Sequence, residues 1–147
     1  MFNISGFGLT VSLIASNTFP VGLILTQWPD DQDAISFPDI EIADMQMGVN
    51  GDAVSWSKAV PIKLTLAAIP DSPTDLQLAV LLQANRVGVN KIGARDIIQC
   101  AVIQGNSNIG TFTNGIITGG PSFNGVQSTG RMKTKIYTFS FESVYAI

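Results

Sequence analysis

Ile62-Lys-Leu-Thr-Leu-Ala-Ala-Ile-Pro-Asp-Ser-Pro-Thr-Asp-Leu-Gln-Leu-Ala-Val-Leu-Leu-Gln-Ala-Asn-Arg-Val-Gly88 is the stretch that decides the fold, because its apolar period changes once along its length. Ile62, Leu64 and Leu66 alternate with Lys63 and Thr65, which is the period of a half-buried strand that ends at Pro70. The pattern then becomes helical. Ser72 is a good N-cap, Pro73 suits the first helical position, and Asp75 stands three residues after the cap. Leu78, Leu81, Leu82 and Asn85 share one face, with Leu76 and Val80 beside them, and Gly88 can close the element. The spacing predicts one helix over about 73–86, packed across a sheet.

Strand signals surround it on both sides. Leu9, Val11 and Leu13 alternate with small polar residues, and a second strand runs through Val21, Leu23 and Leu25. Residues 28–38 hold two prolines and three aspartates and read as a loop. Ile40 and Ile42 open a third strand, which Met45, Met47 and Val49 continue on the other parity, so a bulge is expected near Ala43. Asn50-Gly51 between Met47-Gly-Val49 and Ala53-Val-Ser-Trp56 predicts a tight type I′ hairpin. Further strands are expected over 96–104, 109–119 and 131–142. In the last of these Arg131, Lys133 and Lys135 share parity with Tyr137, Phe139 and Phe141. The fold class is therefore mainly β: a single domain over 1–147, a β-sandwich or barrel with one flanking helix.

Charge is scarce and segregated. Charged side chains make up 13% of the 147 residues, about half the share usual in a globular domain, and residues 1–29 contain none. Residues 30–52 carry a net charge of −7 and the rest of the chain +4. A chain with so little charge, and 46% hydrophobic residues, is expected to have much of its surface covered by neighbours. A monomer with a Ser/Thr/Asn/Gln-rich surface is the plainer alternative. The acidic loop at Asp30, Asp31 and Asp33 and the basic run Arg131, Lys133 and Lys135 are the candidate subunit-interface residues. The two could also neutralise each other within one chain.

The chain contains no histidine, which removes Ser-His-Asp and Cys-His catalysis and the commonest zinc sites. Its one cysteine, Cys100, lies in the apolar run Ile97–Ile103 and reads as a core residue. Asp30, Asp31 and Asp33 lack the glycine and terminal glutamate of a calcium loop. Gly6-Phe-Gly8 lacks a third glycine and precedes a strand, so it is no dinucleotide cradle. No catalytic, cofactor or metal residues are assigned, and an enzyme is not expected. Three alternating cations on an acidic chain suit a solvated or subunit-facing strand better than a nucleic-acid site. The start, Met1-Phe-Asn-Ile-Ser-Gly6, has no basic segment of a secretory signal, and no apolar run has the length of a membrane span.

Several stretches resemble small virion proteins of contractile-tailed bacteriophages, usually described as tail or baseplate structural components. They are Gly6-Phe-Gly-Leu9, Thr26-Gln-Trp-Pro-Asp-Asp31, Ile42-Ala-Asp44, Met47-Gly-Val-Asn-Gly-Asp52, Ala84-Asn-Arg-Val-Gly88, Ala94-Arg-Asp96 and Gly130-Arg-Met-Lys-Thr-Lys135. The resemblance spans nearly the whole chain. It implies a tail-tube-like β domain, a homo-oligomeric, hexameric ring, and tube, sheath and baseplate proteins as partners. It further implies DNA passing through without specific contact, no membrane, no cofactor, and a place in the virion tail after assembly in the host cytoplasm. The contrasting expectation is a monomeric binding module for adhesion or carbohydrate, with Trp28 and Trp56 as stacking platforms.

Overall fold

A computed structural model describes residues 1–2, 4–105 and 108–146. The elements run β1 (Thr10–Ala15), β2 (Phe19–Leu25), β3 (Ile35–Ser36), β4 (Ala43–Met47), β5 (Ala53–Ser57), β6 (Ile62–Ala68), α1 (Pro73–Asn85), β7 (Ile98–Gln104), β8 (Asn108–Gly119) and β9 (Lys135–Ala146). Seven strands form one antiparallel sheet in the order β2-β1-β7-β8-β9-β6-β3, while β4 and β5 pair with each other as a separate hairpin.

One face of the large sheet supplies the core, as the period-two patterns require. Val11 and Leu13 of β1, Leu23 and Leu25 of β2, Leu64 and Leu66 of β6, Ile98 and Cys100 of β7, and Tyr137, Phe139 and Phe141 of β9 join one buried cluster. The sheet therefore curls until its distant strands β2 and β6 share a core, giving a sandwich-like single layer folded on itself. The helix closes it with Leu78 and Leu81, both fully buried. Each such leucine contributes about 2 kcal/mol of burial.

Two buried carboxylates fix the helix at its ends. Ser72 caps α1 by accepting from the Asp75 N–H at 3.3 Å, and Asp75 in turn accepts from the Asp71 N–H at 3.0 Å. Asp75 has no solvent exposure; it pairs with Lys135 at 3.0 Å and accepts from the Tyr137 hydroxyl at 2.8 Å. At the other end Asn85 donates to Asp96 at 2.8 Å. Asp96 also accepts from the backbone N–H groups of Asn17 (2.7 Å) and Thr18 (2.9 Å) and from the Thr18 hydroxyl. Burial acts to raise the Asp96 pKa, but these hydrogen bonds outweigh it and hold the carboxyl below its ordinary value.

Several boundaries differ from the sequence reading. The helix ends at Asn85, and Arg86 turns extended, so Gly88 is not its cap; Gly88 instead bridges Lys91. Ile35 and Ser36, inside the expected loop, pair with Leu66 and Thr65 of β6. The last strand begins at Lys135 rather than 131 and extends to Ala146. The third strand begins at Ala43, although pairing reaches back to the Ile42 carbonyl, which accepts from the Lys58 N–H at 2.8 Å. The hairpin turn is longer than the expected type I′ form. Met47 pairs with Ala53, the Gly51 N–H donates to Gly48 O, and Gly51 has a positive φ of 89° while Asn50 does not. The Gly48 N–H donates to Asp52 O at 2.7 Å, so the loop is the three residues Val49 to Gly51, and the third is left-handed, a conformation that glycine adopts without steric cost.

Candidate interaction surfaces

The charged residues singled out in the sequence are brought together largely within the chain. Arg131 holds Asp30 through two hydrogen bonds, at 2.5 and 3.3 Å, and lies 4.0 Å from Asp31. Asp31 also accepts from the Thr134 hydroxyl at 2.6 Å. The hydrogen bonds from Arg131 hold the Asp30 carboxyl below its ordinary value, and Asp30 raises the arginine in return. Both groups are solvated, so this pair contributes little to stability. Lys135 points inward, as its shared parity with Tyr137 requires, and is occupied by Asp75. Asp33 and Lys133 have no ion-pair partner among the described residues. Asp30 to Asp31 thus meets Arg131 to Thr134 in its own chain, which is the within-chain arrangement left open above.

Cys100 is buried in the core, and burial pushes its thiol up to about 12, far from a nucleophilic thiolate. No group of three or more metal-ligating side chains gathers among the described residues. Trp28 lies half-buried against the core with its indole N–H donating to Leu9 O at 2.9 Å. Trp56 stands apart from it, exposed on β5. A cavity of about 430 Å³ opens beside β7 and β8; its walls include Phe37, Val102, Ile109, Phe112 and Val144. Phe37 stacks on Phe112 with ring centroids 5.4 Å apart. Gln104 is the single polar side chain of that lining, too little to assemble acid–base chemistry.

The unsatisfied features of the molecule are apolar surfaces and open strand edges. β2 lies at one end of the large sheet, with β1 on one side and, among the described residues, no strand on the other. It carries no charge and exposes Val21 (97%) and Ile24 (69%). At the far end, β6 is covered over only two residues by β3. The β4–β5 hairpin exposes all of its residues except Asp44, which is half-buried, and these include Met45, Met47, Val54 and Trp56. A third exposed apolar region follows α1 at Val87, Val89 and Ile92, among Arg86, Lys91 and Arg95. Sequence reasoning missed the hairpin and this last segment as surfaces, because their alternating apolar residues look like those of a core strand.

No helix among the described residues is long and apolar enough to cross a membrane. No characterised protein matches the chain by sequence. A family model described as tail fiber protein gp32 matches residues 2–145. Among solved structures, a chain of the anti-feeding prophage baseplate, six-fold symmetrised, is similar with a TM-score of 0.60 at 10% identity, covering 100% of this chain and 97% of that one. A chain of the extended sheath–tube complex of an extracellular contractile injection system gives 0.59 at 13% identity, with 99% and 92% covered. A chain of the sheath/tube terminator of such a system gives 0.54 at 15% identity, with 100% and 98% covered. At these identities the likeness is one of fold.

Proposed function

Because this chain belongs to the tail fiber protein gp32 family, we propose that it is a non-enzymatic tail subunit that closes into a ring of six copies. The ring would form part of the tail tube or of the junction between tube and baseplate. A structural tail component is the role that family membership supports. The observation that carries the ring is the open, uncharged edge of β2. An exposed edge offers unpaired backbone groups to any neighbouring strand, and soluble monomers usually blunt such edges with charge. Pro20 limits pairing at the start of β2, leaving the Val21–Leu25 portion available. The sheet's other end, at β3 and β6, presents a different surface, so contact between the two ends is head-to-tail and closes when the rotation permits.

Fold likeness to a chain of a six-fold symmetrised baseplate supports six as the number. Other tail proteins of tube, sheath and baseplate type are the expected partners, and DNA would pass the ring without specific contact. Asp33 and Lys133, which have no ion-pair partner among the described residues, remain candidates for pairing between subunits. The test is a variant carrying Val21→Lys and Ile24→Lys. Both positions are exposed, so the fold should survive while light scattering falls from the mass of a ring to that of a monomer. A variant that assembles as the parent does would show that β2 is not the joining edge.

A further inference from the structure

We propose that Asn50 is a self-modifying residue. In the free subunit its side-chain nitrogen is lost as ammonia, and the tip of the β4–β5 hairpin becomes aspartate or isoaspartate. This chemistry needs no second copy and is independent of the ring.

Asn-Gly occurs three times in the chain, at 50–51, 114–115 and 124–125. In such a pair the backbone nitrogen of the glycine can attack the asparagine Cγ, because glycine has no side chain to obstruct the approach. The new N–Cγ bond closes a five-membered succinimide, the glycine amide proton passes to solvent, and the side-chain nitrogen leaves as ammonia. Water then adds to one of the two ring carbonyls and breaks its bond to the ring nitrogen. Opening at Cγ gives aspartate, and opening at the backbone carbonyl gives isoaspartate. Water is the co-reactant, and nothing is oxidised or reduced. The attack requires a glycine N–H able to lose its proton, an unheld asparagine side chain and a backbone free to rotate.

The fold denies these conditions to two of the pairs. Gly115 pairs with Ile98 of β7 and Phe141 of β9, in the middle of the large sheet. Asn114 is fixed at a φ of 53° and donates from Nδ2 to Glu142 at 3.1 Å. Asn124 is half-buried. The Gly125 carbonyl accepts from the Lys133 N–H at 2.7 Å, and Val126 next to it bridges Met132. Asn50 differs on each count. It is exposed, and no atom lies within 4 Å of where a Cβ on Gly51 would stand. The Gly51 N–H donates to Gly48 O at 2.9 Å, a turn bond in a hairpin that pairs with no strand of the large sheet. Opening that bond disturbs nothing in the core, so it opens far more often than the ladder around Gly115.

The product takes the formal net charge from −3 to −4, beside Asp52. Isoaspartate also inserts a backbone carbon into a three-residue loop, between strands whose register sets Met47 against Ala53. A free copy thus carries a chemical clock on its hairpin, and ageing changes both the charge and the length of the loop.

The test is peptide mapping by mass spectrometry of the full chain held in mildly alkaline buffer, folded and in urea. The folded sample is the monomeric fraction from size exclusion, or the Val21→Lys, Ile24→Lys variant where no monomer elutes. In the folded chain Asn50 should convert at least about tenfold faster than Asn114 and Asn124. In urea the three rates should converge, since each is then the same dipeptide in an unfolded chain. Asn50→Gln should abolish the isoaspartate signal of the hairpin peptide. Conversion of Asn50 no faster than that of the other two would show that the fold protects the hairpin tip as well as the sheet, and would overturn the proposal. The same spread of rates in urea would overturn it too, because sequence neighbours and not the fold would then set them. Neither result bears on the ring, and a chain that never assembles leaves the clock in place.

Discussion

Asp96 shows how one residue can secure three segments. Its carboxylate joins the β1–β2 turn to the end of α1 through Asn17, Thr18 and Asn85. Its folded pKa lies below its ordinary value of 3.8. The stability it contributes is therefore complete above that value and is lost as pH falls through the folded pKa. Asp96→Asn removes the charge and leaves donors poorly matched, so it should lower stability at neutral pH by about 2 kcal/mol. It should also flatten the acid limb of the melting curve, and an acid limb identical to that of the parent would exclude Asp96 as its source. Gly51 acts locally by contrast. A β-branched residue at its φ of 89° is strained by about 1–3 kcal/mol. Since the β4–β5 hairpin is separate from the large sheet, Gly51→Val should speed amide exchange in β4 and β5 while global melting changes less. Unchanged exchange there would mean the turn tolerates the residue. The glycine's importance was legible from Asn50-Gly51, but the turn type was not, because loop length is set by where the strands begin to pair.

At the scale of elements, local signals were legible and long-range ones were not. The start of α1 could be read from Ser72, Pro73 and Asp75, since capping involves neighbours in sequence. The inward parity of Lys135 with Tyr137 was also legible. That both converge on Asp75 was not, because this contact joins residues that folding alone brings together. β3 escaped notice because two residues are too few to show a period. The β7–β8 bulge, where Asn114 takes a φ of 53°, likewise has no signature in the run Thr111-Phe-Thr-Asn-Gly115. Gly115, beside that bulge, makes the closest demand on β8. A Cβ there would stand 2.2 Å from the ring of Phe141, which is buried beside Phe112 and Phe139. Gly115→Ala should therefore destabilise the fold by about 1–3 kcal/mol, as overpacking does. A denaturant midpoint equal to the parent's would show that the ring can move aside freely.

For the whole molecule, the sequence's scarcity of charge and its charge-free first 29 residues correspond to particular places: the β2 edge, the exposed N-terminal residues Phe2, Ile4 and Phe7, and the outer side of β1. The −7 region and the +4 remainder meet partly inside the chain through Asp30 and Arg131, while Asp44 and Asp52 lie on the β4–β5 hairpin and Arg86, Lys91 and Arg95 on the segment after α1. The copies of a ring would present these surfaces to one another in a fixed order. The most direct measurement of this account is native mass spectrometry of the purified full chain at rising concentration. A closed species at six times the 15.6 kDa subunit mass, or stacks of that species, is the predicted result. A monomer at every concentration, in low salt as well as high, would contradict it.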